Sequence, residues 1–134
     1  MVEFTHTVRV RYGETDRMGL VYHGDYAEYL DEARTEMLRS RGLSYREIET
    51  RGILMPVREL RIRYQKGSTY DSLIFIHLSI QEKPHTRMQV HYRCVNEQGE
   101  PVCTAFTELI FVQADKGKPM ACPEWIYQHF PEWC

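Results

Sequence analysis

The stretch YGETDRMGLVYHGDYAEYLDEAR, from Tyr12 to Arg34, packs ionisable, polar and aromatic side chains into a turn between a strand pattern and a helix start. Asp16 lies in that turn. His23 and Gly24 stand just before the helix, whose first N–H groups lack intrahelical partners and form the positive end of its dipole. A carboxylate can attack a carbonyl or take a proton from water, and preorganised N–H groups can hold the oxyanion that results. Those are the parts that acyl transfer needs. Asp16 is therefore the candidate carboxylate, and the backbone N–H groups near His23 and Gly24 are the candidate oxyanion donors. Tyr22, Gly24 and Tyr26 are candidates for the wall of a substrate pocket. Asp is also a common turn former, its side chain accepting from a backbone N–H, so type alone does not assign a role. Glu14 reads as a solvated loop charge.

The elements that must position these residues follow from periodicity. Glu3 to Tyr12 alternates with a period of two, Phe4, His6, Val8, Val10 and Tyr12 sharing one face, which predicts a half-buried strand. Residues 13–23 read as a structured loop. From Asp25 to Arg41 the period becomes helical, with Tyr26, Leu30, Ala33 and Met37 on one stripe. Asp25 and Glu28 have the spacing of a capping box, and Gly42 is placed to end the helix. A short second helix is expected over Tyr45–Thr50, closed by Gly52. The rest is strand-like: Leu60, Ile62 and Tyr64; Ile74, Ile76, Leu78 and Ile80; Met88, Val90, Tyr92 and Cys94; then Val102 to Gln113. Asn96 to Pro101 reads as a hairpin connection. One long helix followed by long antiparallel strands is an α+β arrangement in which a sheet wraps the helix. The C-terminal Trp125, Ile126, Phe130 and Trp133 are expected to pack over the sheet or against a neighbour.

Length and composition bound the alternatives. The 134 residues suit one domain over 1–134, and 43% hydrophobic content with a net charge of −2 is that of a globular chain. No basic run offers a nucleic-acid footprint. The N-terminus lacks the pattern of a signal peptide, and no apolar stretch approaches the ~20 residues of a membrane span. A cytoplasmic location is the resulting expectation. Cys94, Cys103, Cys122 and Cys134 should then stay reduced, and neither they nor the six histidines have zinc-site spacing, so no metal is expected.

The stretch resembles the 4-hydroxybenzoyl-CoA thioesterase-like branch of the hotdog superfamily. Tyr12, Thr15, Asp16, Gly19, Val21, Tyr22, His23, Tyr26 and Glu32-Ala33-Arg34 carry the likeness, and the strand order extends it over residues 3–113. The resemblance implies the hotdog fold and acyl-CoA hydrolysis without metal or cofactor. It implies that Asp16 attacks the thioester or activates a water, with the His23 N–H on the carbonyl oxygen. It further implies side-by-side homodimers sharing a sheet, often paired into homotetramers, with the site at the dimer seam. CoA-binding residues would fall on Lys83, His85 and Thr86. An acyl-carrier-protein thioesterase and a catalytically silent acyl-CoA-binding protein are the alternatives. A hotdog hydratase is a further rival, but the hydratase motif is absent from this sequence.

Overall fold

The computed structural model describes residues 1–134. The elements run β1 (Val2–Arg9), α1 (Asp25–Ser40), α2 (Tyr45–Thr50), β2 (Ile53–Leu54), β3 (Val57–Tyr64), β4 (Leu73–Ile80), β5 (Arg87–Val95), β6 (Pro101–Gln113), β7 (Pro119–Met120) and α3 (Glu124–Tyr127). Every pairing is antiparallel. The long strands lie in the order β1-β4-β5-β6-β3, with β2 and β7 on the C-terminal end of β6. The sheet closes over α1, giving the hotdog arrangement.

Helix α1 buries Tyr26, Tyr29, Leu30, Ala33, Met37 and Leu38. Facing them, Ile74, Ile76, Leu78 and Ile80 of β4 and Met88, Val90, Tyr92 and Cys94 of β5 are almost wholly buried, on the faces that alternation assigned. Each large side chain so buried contributes roughly 1.5–3 kcal/mol of transfer free energy. One polar network crosses this interior. Arg34, 4% exposed, donates to the Tyr92 hydroxyl at 2.8 Å and lies 3.4 Å from that of Tyr45; Tyr92 in turn meets Thr107 at 2.7 Å. Asp31 pairs with the same guanidinium from the surface.

The ends of α1 differ from expectation at one terminus only. The capping box of Asp25 and Glu28 does not form. The N-cap is Gly24, in helical conformation and without a side-chain cap, and Asp25 already donates its own N–H to Tyr22 O at 2.9 Å. Asp25 is thus inside the first turn, where it and Glu28 act on the helix dipole instead. At the other end Gly42, at φ +78°, lets Leu43 N–H return to Leu38 O at 2.9 Å. Helix α2 has the expected bounds and is capped by the Ser44 hydroxyl, which accepts from Glu47 N–H at 3.0 Å.

Strand β1 is shorter than its alternation suggests. Pairing with β4 stops at Arg9, Val10 exchanges bonds with Asp71 and Ser72, and the chain then enters a 3₁₀ turn at Tyr12–Glu14. Tyr12 is consequently 77% exposed rather than inward-facing. The C-terminal segment packs on its own chain. Ile126, Tyr127, Phe130 and Trp133 are buried, and Arg41 holds Glu132 through two bonds of 2.6 and 2.7 Å. The segment also pins the turn before β5: Tyr127 donates to Pro84 O at 2.5 Å and Cys122 N–H to His85 O at 2.6 Å.

Strand β3 stands apart. It pairs with β6 on one side only, and Val57, Leu60 and Tyr64 are 43–49% exposed along it. An edge of this kind presents unpaired N–H and C=O groups beside apolar side chains.

Candidate active site

The loop between β1 and α1 is folded by its own hydrogen bonds. Asp16 accepts from Met18 N–H at 2.9 Å and Leu20 N–H at 3.3 Å, both through Oδ1, and its backbone N–H donates to Leu20 O at 2.8 Å. The turn-former role and a chemical role are therefore compatible: one oxygen builds the turn, and Oδ2 has no protein partner. Gly19, at φ +78°, closes the turn by donating to Asp16 O at 3.0 Å.

Glu14 is the loop's anchor, contrary to its reading as a solvated charge. Its side chain is 14% exposed. Oε1 accepts from the Tyr29 hydroxyl and from Arg11 N–H, each at 2.8 Å, while its carbonyl accepts from Tyr22 N–H at 2.8 Å. The loop is thereby tied to α1 through one carboxylate. Burial, together with the Glu14 charge, pushes the Tyr29 hydroxyl pKa well above the ordinary tyrosine range, so the hydroxyl stays a donor.

A cleft of about 280 Å³ opens beside this loop, lined by Asp16, Leu20, His23, Tyr26, Tyr64 and Gly67 among others. The N–H groups of His23 and Gly24 donate to no protein acceptor. Tyr26 is 4% exposed, and burial raises its pKa to about 12, so it is a neutral wall at neutral pH. Its ring meets Tyr64 edge-on, centroids 5.5 Å apart. The Tyr64 hydroxyl donates to His23 O at 2.9 Å and so fixes the orientation of the His23–Gly24 peptide. Tyr22 lies outside the cleft. It is 49% exposed, packs on the His23 ring at 4.4 Å, and covers Gly24 so closely that a Cβ there would fall 2.7 Å from its ring.

The remaining sequence candidates are elsewhere. Lys83, His85 and Thr86 line a separate surface depression with Glu82, Arg87 and Gln89. That depression begins at Arg87, whereas the cleft lies at the end of the sheet where Cys94, Cys103 and Tyr64 align. On β5 the depression reaches Gln89, five residues short of Cys94 and roughly 17 Å from it at the rise of an antiparallel strand. Lys83 is further occupied by the Tyr127 ring, its Nζ 4.3 Å from the centroid. Sequence reasoning missed Tyr64 and Lys66 as cleft residues. Lys66 bonds Glu100 at 2.8 Å on the cleft's rim. Only the alternation of β3 marked Tyr64, and nothing local announced its reach to His23. No group of three or more His, Cys, Asp or Glu side chains is placed to hold a metal, and no helix is long and apolar enough to cross a membrane.

Fold and site together are those of a hotdog-fold thioester hydrolase. A family model described as the thioesterase-like superfamily matches residues 10–130, and the chain belongs to that family. Among relatives, the acyl-CoA thioester hydrolase YbgC of Escherichia coli is 30% identical over 129 residues, covering 96% of this chain and 96% of that protein. A DHNA-CoA thioesterase from Staphylococcus aureus superposes with a TM-score of 0.86 at 33% identity, covering 99% of this chain and 87% of that one. A Thermus thermophilus protein matches with a TM-score of 0.88 at 29% identity, covering 97% of this chain and 98% of its own.

Proposed function

We propose that the chain hydrolyses the thioester of an acyl-CoA to a free carboxylic acid and CoA. Asp16 Oδ2 attacks the carbonyl carbon or takes the proton of an attacking water, and the His23 N–H holds the carbonyl oxygen as negative charge develops on it. The observation that carries this reading is the division of labour within Asp16. Oδ1 is fixed by two backbone N–H groups and Oδ2 has no protein partner, beside a cleft that includes His23. The names of the relatives at 30% and 33% identity point the same way. The buried thiols of Cys94, Cys103 and Cys122 suit a reducing cytoplasm.

The test is a panel of short, long and aromatic acyl-CoA thioesters followed by free-thiol release. Hydrolysis should release one thiol per acid formed. Hydration of an enoyl thioester would leave the thioester intact, and a silent binding protein would release nothing; either outcome overturns the proposal.

We further propose that the working unit is a homodimer formed through the open edge of β3, with a homotetramer as a pair of such dimers. Two β3 strands related by a two-fold axis run antiparallel, so the Arg58 end of one faces the Tyr64 end of the other. The depression at Lys83, His85 and Thr86 of one protomer then approaches the Asp16 cleft of its partner, which a single chain holds apart from it. Light scattering at working concentration should give at least twice the 16.0 kDa chain mass. A monomeric mass in an active preparation would remove the seam from the mechanism.

A further inference from the structure

Cys94 and Cys103 face each other across the sheet and take no part in hydrolysis. They are register partners on β5 and β6, and they are 1% and 0% exposed. Directly opposed residues of an antiparallel pair have Cα atoms about 4.5 or 5.5 Å apart, and both separations suit a disulfide. Both thiols are free. The Cys94 S–H is directed at Cys103, which holds its proton and raises its pKa well above the ordinary thiol range, while the same contact lowers that of Cys103. Cys103 is thus the member that ionises first, with a donor beside it. Cys122, outside the long strands, has no thiol opposite it, and burial pushes its pKa up to about 12.

The pair backs the cleft. Tyr64 on β3 is the other register partner of Cys103, so Cys94, Cys103 and Tyr64 form one row across three strands. Burial raises the pKa of Tyr64, and Cys103 adds to the rise. For Tyr26 burial again dominates, with both sulfurs contributing, which places them close to that side chain as well. Tyr26 and Tyr64 wall the cleft, and the Tyr64 hydroxyl orients the His23–Gly24 peptide. The row also lies where the sheet can open. The β5–β6 ladder shifts register between Cys94 and Val95, and the hairpin turn begins at Asn96.

We infer that Cys94 and Cys103 are a redox site, a dithiol that a hydroperoxide converts to a disulfide, and that the bridge slows hydrolysis. Its effect on turnover rests on the reading of the chain as a thioesterase. The Cys103 thiolate attacks one peroxide oxygen, the O–O bond breaks, and the leaving oxygen takes up the proton that the thiol had released. The Cys94 sulfur then displaces the hydroxyl of the resulting sulfenic acid, which departs with the Cys94 proton as water. Two electrons pass from the two sulfurs to the peroxide. Opposed Cβ atoms stand about 4.5–5.5 Å apart, whereas a disulfide holds them at about 3.8 Å, so the pair must close by roughly 1 Å. That shift falls on the row that ends at Tyr64, and a misplacement of about 1 Å can cost 10²-fold in rate. A bridge closed against the sheet is strained, and strained disulfides are the readily reduced, regulatory kind.

The experiment treats three chains with hydrogen peroxide and then with dithiothreitol: Cys134→Ser, which lacks the exposed thiol, and the same chain carrying Cys94→Ala or Cys103→Ala. Cleavage after Glu97 and Glu100, which lie between the two cysteines, leaves the two peptides joined only if the bridge has formed. Cys134→Ser should yield the joined peptides, lose at least about tenfold in kcat, within the reach of a 1 Å displacement, and keep its KM. Dithiothreitol should restore turnover and separate the peptides together. Both alanine variants should form no bridge and stay within twofold of their untreated kcat. The mapping and its reversal on Cys134→Ser do not depend on either alanine variant folding. Absence of joined peptides at a peroxide dose that fully oxidises Cys134 of the unaltered chain would overturn the site. A bridged enzyme within twofold of the reduced kcat would overturn its effect on turnover. A reversible bridge in a chain that hydrolyses no thioester would keep the redox site and defeat the thioesterase reading.

Discussion

Asp16→Asn is expected to lower turnover on a good acyl-CoA substrate by about 10²–10⁴-fold, the contribution typical of a general base. The geometry makes this substitution unusually clean. Oδ1 of the asparagine can accept from Met18 and Leu20 N–H as the carboxylate does, so the turn survives. The change falls on Oδ2, where an amide nitrogen can neither attack a carbonyl nor take a proton. KM should therefore move little, because binding common to ground and transition states is untouched. Asp16→Ala, by contrast, removes the turn bonds as well and should affect stability and turnover together. Turnover of the asparagine variant within about threefold of the parent would remove Asp16 from the chemistry, being far short of a general base's contribution.

Glu14→Ala is expected to unfasten the loop and to lose turnover with stability. The alanine leaves the Tyr29 hydroxyl and Arg11 N–H without their acceptor. Orphaning a buried polar group costs about 1–3 kcal/mol, and for the more buried Tyr29 the cost should lie in that range. The melting temperature should fall accordingly, by a few degrees per kcal/mol in a chain of this size. Glu14→Gln separates scaffold from chemistry. Its amide oxygen can still accept from Tyr29 and Arg11, so turnover should stay near that of the parent. A glutamine variant as inactive as Asp16→Asn would identify Glu14, rather than Asp16, as the reacting carboxylate.

These two carboxylates show where the sequence was legible. Asp16 stands in a long motif, and its turn is built from residues 16–20, so local pattern was enough to single it out. Glu14 is two residues away and was misjudged, because its burial depends on Tyr29, fifteen positions on and one helical turn inside α1. The strands and α1 were readable for the same local reason: periods of two and 3.6 report which face is apolar. Tyr12 marks the limit of that signal. Its alternation continues past the point where β4 ceases to offer a partner, and only the pairing shows the strand has ended. Tyr64 was unreadable as a cleft residue, since its bond to His23 spans 41 positions.

The register of the sheet also sets the order in which this protein can be made. Val2 pairs with Ile80, and Tyr64 with Cys103, so no long strand upstream of β4 finds its neighbour until far more chain has been synthesised. Helix α1 is complete at Ser40, but the sheet that covers its apolar stripe closes only with β6, ending at Gln113. At ribosomal speeds of about 5–20 residues per second, that interval lasts roughly 4–15 s. For those seconds Leu30 and Met37, fully enclosed in the finished fold, belong to a nascent helix whose cover does not yet exist.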